Sequence, residues 1–220
     1  MKEAIFSFLI ILISSLPLII ALIVLHKRGI SSIWFFVCTI AGFFSVAIVL
    51  LLNNFFPVLS ISERNNIFNI LIRAAFTEEL SRFIVLMPLL AIALQKRGGR
   101  SAVVDPSYDN SAWGGIAGLI TGLGFAAAES IFYEILTPGA ALLRAFSAAP
   151  LHGACGARVG TACIYFRSRP MYALYLFLSA AVIHGMYNLF LISYHLPSVL
   201  ALMLAIAAMG SQMITLKKSY

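Results

Sequence analysis

Apolar segments long enough to cross a lipid bilayer follow one another along the whole chain. A bilayer-spanning helix needs about 20 consecutive apolar residues. Of the 220 residues, 61% are hydrophobic and 10% are charged, which leaves no separate water-soluble domain. We therefore expect one all-α transmembrane domain, residues 1–220, built as a polytopic bundle of about seven helices. The predicted spans are 4–25, 33–52, 67–94, 112–136, 140–166, 171–194 and 197–215, and the polar stretch 95–112 is predicted to be a loop.

Lysine and arginine residues predict the orientation of this bundle. The loops on one side carry nine of them and the other side carries three. Because cytoplasmic loops of membrane proteins are enriched in these residues, we expect the N-terminus outside and the C-terminus in the cytoplasm. The net charge of +7 then comes mostly from the basic residues of the cytoplasmic loops, which can attract anionic lipid. It therefore does not indicate a nucleic-acid partner. The nine are Lys27, Arg28, Lys96, Arg97, Arg100, Arg167, Arg169, Lys217 and Lys218, and the three are Lys2, Arg64 and Arg144.

Two adjacent carboxylates and an arginine interrupt the third apolar segment. The stretch FTEELSRF, residues 76–83, contains Glu78, Glu79 and Arg82. Ionisable groups inside a bilayer are expensive and usually functional. Arg82 lies four residues after Glu78 and three after Glu79, so it can neutralise one of them. The other carboxylate is left to find a partner on another helix.

Four more polar side chains lie on other predicted helices at a similar depth. Counting about 1.5 Å per residue from the outer end of each helix places Glu78, Glu129, His152 and His184 roughly 10–18 Å deep. Asn188 follows His184 by one helical turn. These residues are therefore predicted to share one layer between the bilayer centre and the outer leaflet.

Glycines and cysteines indicate how the helices pack. Gly114, Gly118 and Gly122 recur every four residues before Glu129, and a similar glycine pair follows His152. Small residues at this spacing let helices approach closely in lipid, which predicts that Glu129 and His152 meet near the bundle centre. The three cysteines all fall within predicted helices without a Cys-x-x-Cys pair, so we interpret them as buried thiols.

The residue types in this layer favour hydrolysis by an activated water. No serine or cysteine is placed as an obvious nucleophile, whereas one glutamate could serve as general base. His184 and Asn188 could donate hydrogen bonds to a developing oxyanion. Two carboxylates and two histidines could equally bind zinc, although no HExxH motif is present. A metal-free glutamate hydrolase, which we favour as needing no cofactor, and a metalloprotease both remain open.

Four short motifs in this order resemble those of the PrsW intramembrane proteases, which are similar to the CAAX prenyl endoproteases. They are EELSR (78–82), GFAAAE (124–129), LHGACG (151–156) and HGMYN (184–188). The resemblance implies that Glu78 and Glu79 are the paired family glutamates and that His152 and His184 are the motif histidines. It also implies a multi-pass protein of the bacterial inner membrane. The resemblance also implies a membrane-anchored protein substrate. Bacterial members of the family carry out site-1 cleavage of membrane-bound anti-sigma factors on the extracytoplasmic side.

Two residues depart from the pattern of the family, and two other functions are alternatives to proteolysis. Family members often carry Lys at the position of Arg82 and Asp at the position of Asn188. The gamma-secretase scaffold subunit is similar in having seven helices and membrane-embedded histidines, which makes a non-catalytic scaffold or binding subunit an alternative. A proton-coupled transporter with a glutamate relay is the third hypothesis.

Overall fold

Seven helices make up the part of the chain that the computed structural model describes, which is residues 2–55, 73–97, 110–132, 138–192 and 197–218. No strand occurs in these ranges. The helices are α1 (Lys2–Lys27), α2 (Ser32–Phe55), α3 (Ala75–Arg97), α4 (Asn110–Phe132), α5 (Pro138–Tyr165), α6 (Pro170–Ile192) and α7 (Val199–Lys218). The all-helical architecture is confirmed, while most of the predicted 95–112 loop and the beginning of the predicted 67–94 span lie outside the described residues.

Four of these helices are long and apolar enough to cross a membrane: Ser32–Phe55, Asn110–Ser130, Pro170–Ile192 and Val199–Lys217. Their outward faces carry large apolar side chains, such as Phe44 on α2 and Val182 on α6, each 60% exposed. Lipid is the environment in which such a surface is stable. The number of helices that cross the bilayer, and the orientation of the termini, remain predictions.

The turn between α1 and α2 follows from one glycine. The N–H of Gly29 donates to the carbonyl of His26, and the N–H of Ile30 donates to that of Leu25, each at 3.0 Å. This hydrogen-bond pair is the Schellman motif, which needs a residue with positive φ after the helix. Gly29 has φ 84° and supplies it without a Cβ penalty.

Helix α4 is the centre of the bundle, since every residue from 112 to 130 is buried. Its glycines face α5 so closely that a Cβ on Gly118 would overlap the backbone of Gly156, and one on Gly122 would overlap that of His152. The predicted close packing of these two helices is confirmed. It matters for function because it fixes Glu129 and His152 side by side.

The basic ends of the helices gather at one end of the bundle. Trp34 near the start of α2 packs edge-on against Trp113 near the start of α4, with ring centroids 5.7 Å apart. A Cβ on Gly115 would meet Leu216, near the end of α7. At about 1.5 Å per residue, His152 lies roughly 20 Å from this end along α5, near the middle of that helix, and Glu129 lies roughly 28 Å from it along α4. The polar cluster therefore extends from the middle of the bundle into the half away from the basic turns.

Candidate active site

Six of the seven predicted site residues lie in one buried cluster contributed by four helices. Helix α3 contributes Glu78, Glu79 and Arg82, α4 contributes Glu129, α5 contributes His152 and α6 contributes His184. The three glutamates are the only acidic side chains in the part of the chain whose side chains are described. Buried charge of this kind is stable only when it is paired and hydrogen-bonded.

Glu79 is the fully enclosed member of the glutamate pair. Its side chain has no exposure, and its Oε1 atom accepts a hydrogen bond from Nη1 of Arg82. The same oxygen lies 2.7 Å from Nδ1 of His184. Glu79 therefore joins α3 to α6 and shares its charge between two donors.

Arg82 is the positive centre of the cluster. Besides Glu79, its Nη2 atom lies 2.7 Å from Nδ1 of His152 and 3.5 Å from Oε2 of Glu78. The guanidinium also stacks over the ring of Phe125, with its Cζ 4.2 Å from the centroid. A cation over an aromatic face is stabilised by the ring quadrupole. Sequence analysis missed Phe125, although its position four residues before Glu129 puts both on one face of α4.

The contact with Arg82 determines the tautomer of His152. A guanidinium can only donate hydrogen bonds, so Nδ1 of His152 must accept. Nε2 therefore carries the proton and donates it to Oε2 of Glu129 at 2.8 Å. Both ring nitrogens of His152 are engaged, and the chain Glu79–Arg82–His152–Glu129 connects α3, α5 and α4.

His184 and Glu78 face each other with unused polar atoms. Because Nδ1 of His184 donates to the Glu79 carboxylate, its Nε2 remains available, and it lies 3.4 Å from Oε2 of Glu78. The buried Oε2 of Glu78 has no hydrogen-bond partner among the described residues. The Glu78 side chain is 11% exposed, in contrast to the enclosed Glu79. Glu78 is thus the glutamate of the pair that a water can reach.

Asn188, the seventh predicted residue, is half-buried on α6 and makes no hydrogen bond to the described members of the cluster. Its neighbour Tyr187 is fully buried and lies 2.7 Å, oxygen to oxygen, from the hydroxyl of Ser147. This link between α5 and α6 was not predicted from the sequence, since a lone Tyr and a lone Ser in apolar helices give no signal.

The donor types make a metal ion possible. Glu78, His152 and His184 can each offer a ligand atom, with these atoms within 4.8 Å of one another. Catalytic zinc sites take three ligands from the protein. Of these three residues, Glu78 and His184 each have a ligand atom available, whereas Arg82 and Glu129 occupy both nitrogens of His152. A third ligand would be His152 after release of one of these contacts, or the buried Oε2 of Glu79, which has no hydrogen-bond partner among the described residues.

Comparison with known proteins decides the family. Residues 31–211, most of the chain, match the PrsW family intramembrane metalloproteases. The chain belongs to this family. It is therefore a membrane protease, and the suspected resemblance is confirmed. No curated protein and no solved structure matches the chain.

Proposed function

We propose that this PrsW-family chain hydrolyses a peptide bond of a membrane-anchored substrate with a water activated by Glu78. The observation that carries the proposal is the contrast within the glutamate pair. Glu78 is partly accessible, and its Oε2 has no hydrogen-bond partner among the described residues, whereas Glu79 is enclosed between Arg82 and His184. A general base must be within reach of the proton that it removes, and only the first of the two meets that condition.

The position of His184 supports a donor role for this residue. Its ring lies between the two carboxylates of the pair, with Nδ1 2.7 Å from Oε1 of Glu79 and Nε2 3.4 Å from Oε2 of Glu78. In the proposed mechanism both ring nitrogens carry a proton, so that Nδ1 donates to Glu79 and Nε2 is a second donor that faces the space next to Glu78.

In the proposed reaction, the water oxygen attacks the scissile carbonyl carbon and gives a proton to Glu78. The carbonyl oxygen becomes an oxyanion, and Nε2–H of His184 donates a hydrogen bond to it, with the side chain of Asn188 as the second proposed donor. Glu78 then returns the proton to the leaving amine nitrogen as the C–N bond breaks. His152 and Glu129 position the guanidinium of Arg82, and Arg82 holds Glu79 away from the water.

A metal ion would supply Lewis-acid polarisation of the carbonyl if it were bound by Glu78 and His184. The proposed steps do not require it, since Arg82 already provides a positive charge to the glutamate pair. Cleavage near the outer leaflet, and an anti-sigma factor as substrate, are part of the proposal. They follow from the predicted orientation and from the resemblance of the motifs.

The experiment is co-expression with a single-span substrate that carries a reporter tag on each side of the membrane. Glu78→Gln keeps the size of the side chain and removes the base, so cleavage should fall by a factor of about 100 or more. Glu134→Gln, a carboxylate that follows the end of α4 in the sequence, is the matched control and should cleave normally. Normal cleavage by a folded Glu78→Gln variant would exclude Glu78 as the base.

A further inference from the structure

Two apolar grooves open on either side of the turn that joins α5 to α6. The first has a volume of about 180 Å³ and lies between α3 and α6. Its walls are entirely apolar and include Leu80, Phe83, Phe166, Ala173, Leu174 and Phe177. The second has a volume of about 540 Å³ and lies between α3 and α5. Its walls include Met87, Pro88, Leu94, Cys163, Ile164 and a single charged residue, Arg167.

Both grooves reach the same turn. Phe166 lines the first groove and its neighbour Arg167 lines the second. The ring of Phe166 packs against that of Phe83 at 5.5 Å between centroids. Phe83 belongs to α3, so this aromatic pair joins α3 to the turn and lines the first groove. The second groove begins at the next residue of the turn, Arg167.

The turn carries two exposed arginines that have no partner of opposite charge among the described residues. Arg167 and Arg169 are both exposed, and the guanidinium of Arg169 lies 5.7 Å from the ring centroid of Tyr165. All acidic side chains in the described part of the chain belong to the active-site cluster, roughly 20 Å away along α5. The described residues therefore leave this cationic turn free to attract an anion.

We propose that the two grooves and this turn bind one anionic diacyl phospholipid, with an acyl chain in each groove and the phosphate at Arg167 and Arg169. Arginine is the side chain best suited to hold a phosphate through paired hydrogen bonds. A small soluble anion would leave the apolar grooves unused. The second groove leads along α3 away from the glutamates, so a substrate segment bound there would not be directed toward the active site.

The first groove lies next to the contact between α3 and α6, two of the helices that form the active site. Phe177 packs edge-on against both Phe76 and Phe83 of α3, at 5.5 and 5.8 Å between centroids. The same two helices carry Glu79 and His184. A lipid seated in the first groove therefore stabilises the contact between α3 and α6.

The test uses the purified full chain and native mass spectrometry with phosphatidylglycerol or phosphatidylcholine of identical acyl chains. We expect phosphatidylglycerol to be retained more strongly and to raise the melting temperature more. Arg167→Gln combined with Arg169→Gln should reduce its retention by about tenfold or more. Lys27→Gln combined with Lys217→Gln removes two exposed cations from other helices at the same end and should leave retention unchanged.

A second pair of variants tests the groove without changing charge. Leu174→Trp fills the first groove, whereas Leu178→Trp places the same ring on an exposed part of the same helix. The proposal predicts that only Leu174→Trp lowers phosphatidylglycerol retention. It is overturned if both lipids are retained equally and the arginine variants change nothing. It is also overturned if Leu174→Trp blocks cleavage but not lipid retention, because the occupant is then a substrate segment.

Discussion

Nη2 of Arg82 lies 2.7 Å from Nδ1 of His152, and this contact links the charge of the glutamate pair to the tautomer of a histidine on another helix. Because Arg82 can only donate, His152 must present its second nitrogen as a donor to Glu129. One side chain therefore positions Glu79 directly and Glu129 through His152. Arg82 is a positioning residue: its closest contacts are with Glu79 and His152, and its Nη2 lies 3.5 Å from Oε2 of the proposed base Glu78.

Replacing Arg82 should affect stability and activity in different proportions. Arg82→Ala leaves Glu79 buried without its cation, and breaking a buried pair costs roughly 3–5 kcal/mol. Arg82→Lys keeps the charge but cannot donate to Glu79 and His152 in the same forked geometry. We expect a large loss of thermal stability for Ala, a smaller one for Lys, and reduced cleavage for both. Full stability of Arg82→Ala in a melting experiment would show that the ion pair does not form.

The glycine contact between α4 and α5 should not tolerate a methyl group. Gly118→Ala forces its new Cβ against the carbonyl of Gly156, and overpacking of this kind costs about 1–3 kcal/mol. Gly210→Ala on α7 is the matched control, because nothing lies within 4 Å of its added Cβ. There we expect no loss, and a gain of up to about 1 kcal/mol from helix propensity. Equal melting temperatures for the two variants would mean that α4 and α5 are farther apart.

Much of this site could be predicted because the chemistry of a bilayer is restrictive. Glu78, Glu129, His152 and His184 were expected in one layer, since ionisable side chains at similar depths on packed helices have few other partners. The structure brings them together. The position of Phe125 under Arg82 could not be predicted, because phenylalanine is ordinary filler in an apolar helix.

The sequence was less informative about pairing and boundaries. It did not distinguish Glu78 from Glu79, since only the placement of α6 shows which carboxylate His184 encloses. It also ended the third span at residue 94, whereas the described helix continues to Arg97. Hydrophobicity predicts that such a helix exists, but it does not predict where the helix ends, because polar and basic residues extend it beyond the apolar segment. Asn188 shares a helix with His184, yet the structure gives it no hydrogen bond to the described cluster.

The predicted orientation places the predicted loop 95–112 in the cytoplasm. Ser107→Cys should react with a membrane-impermeant maleimide only after the membrane of intact cells is permeabilised. Ser62→Cys, in the predicted outer segment between α2 and α3, should react without permeabilisation. The three native cysteines are buried and give little background. The opposite labelling pattern would reverse the orientation and move the site to the cytoplasmic half.

Metal content separates the two chemistries that the residues allow. Since Arg82 and Glu129 engage both nitrogens of His152 and the proposed steps need no metal, we expect well below one zinc ion per purified chain. Cleavage should persist in the presence of a chelator. The same measurement on His184→Ala, which removes one possible ligand, controls for metal bound elsewhere. A stoichiometric metal that is lost together with activity would show that His152 releases Arg82 or Glu129 to become a ligand.

The most direct measurement of the central claim is the cleavage rate of a single-span substrate by the purified protein in lipid nanodiscs. The rate is compared among the wild type, Glu78→Gln and Glu79→Gln, with the melting temperature of each measured in parallel. If Glu78 activates the water, Glu78→Gln loses a factor of about 100 or more in rate with nearly unchanged stability. Glu79→Gln should lose both rate and stability, because it is the enclosed partner of Arg82. Folded variants that both cleave at the wild-type rate would contradict the account.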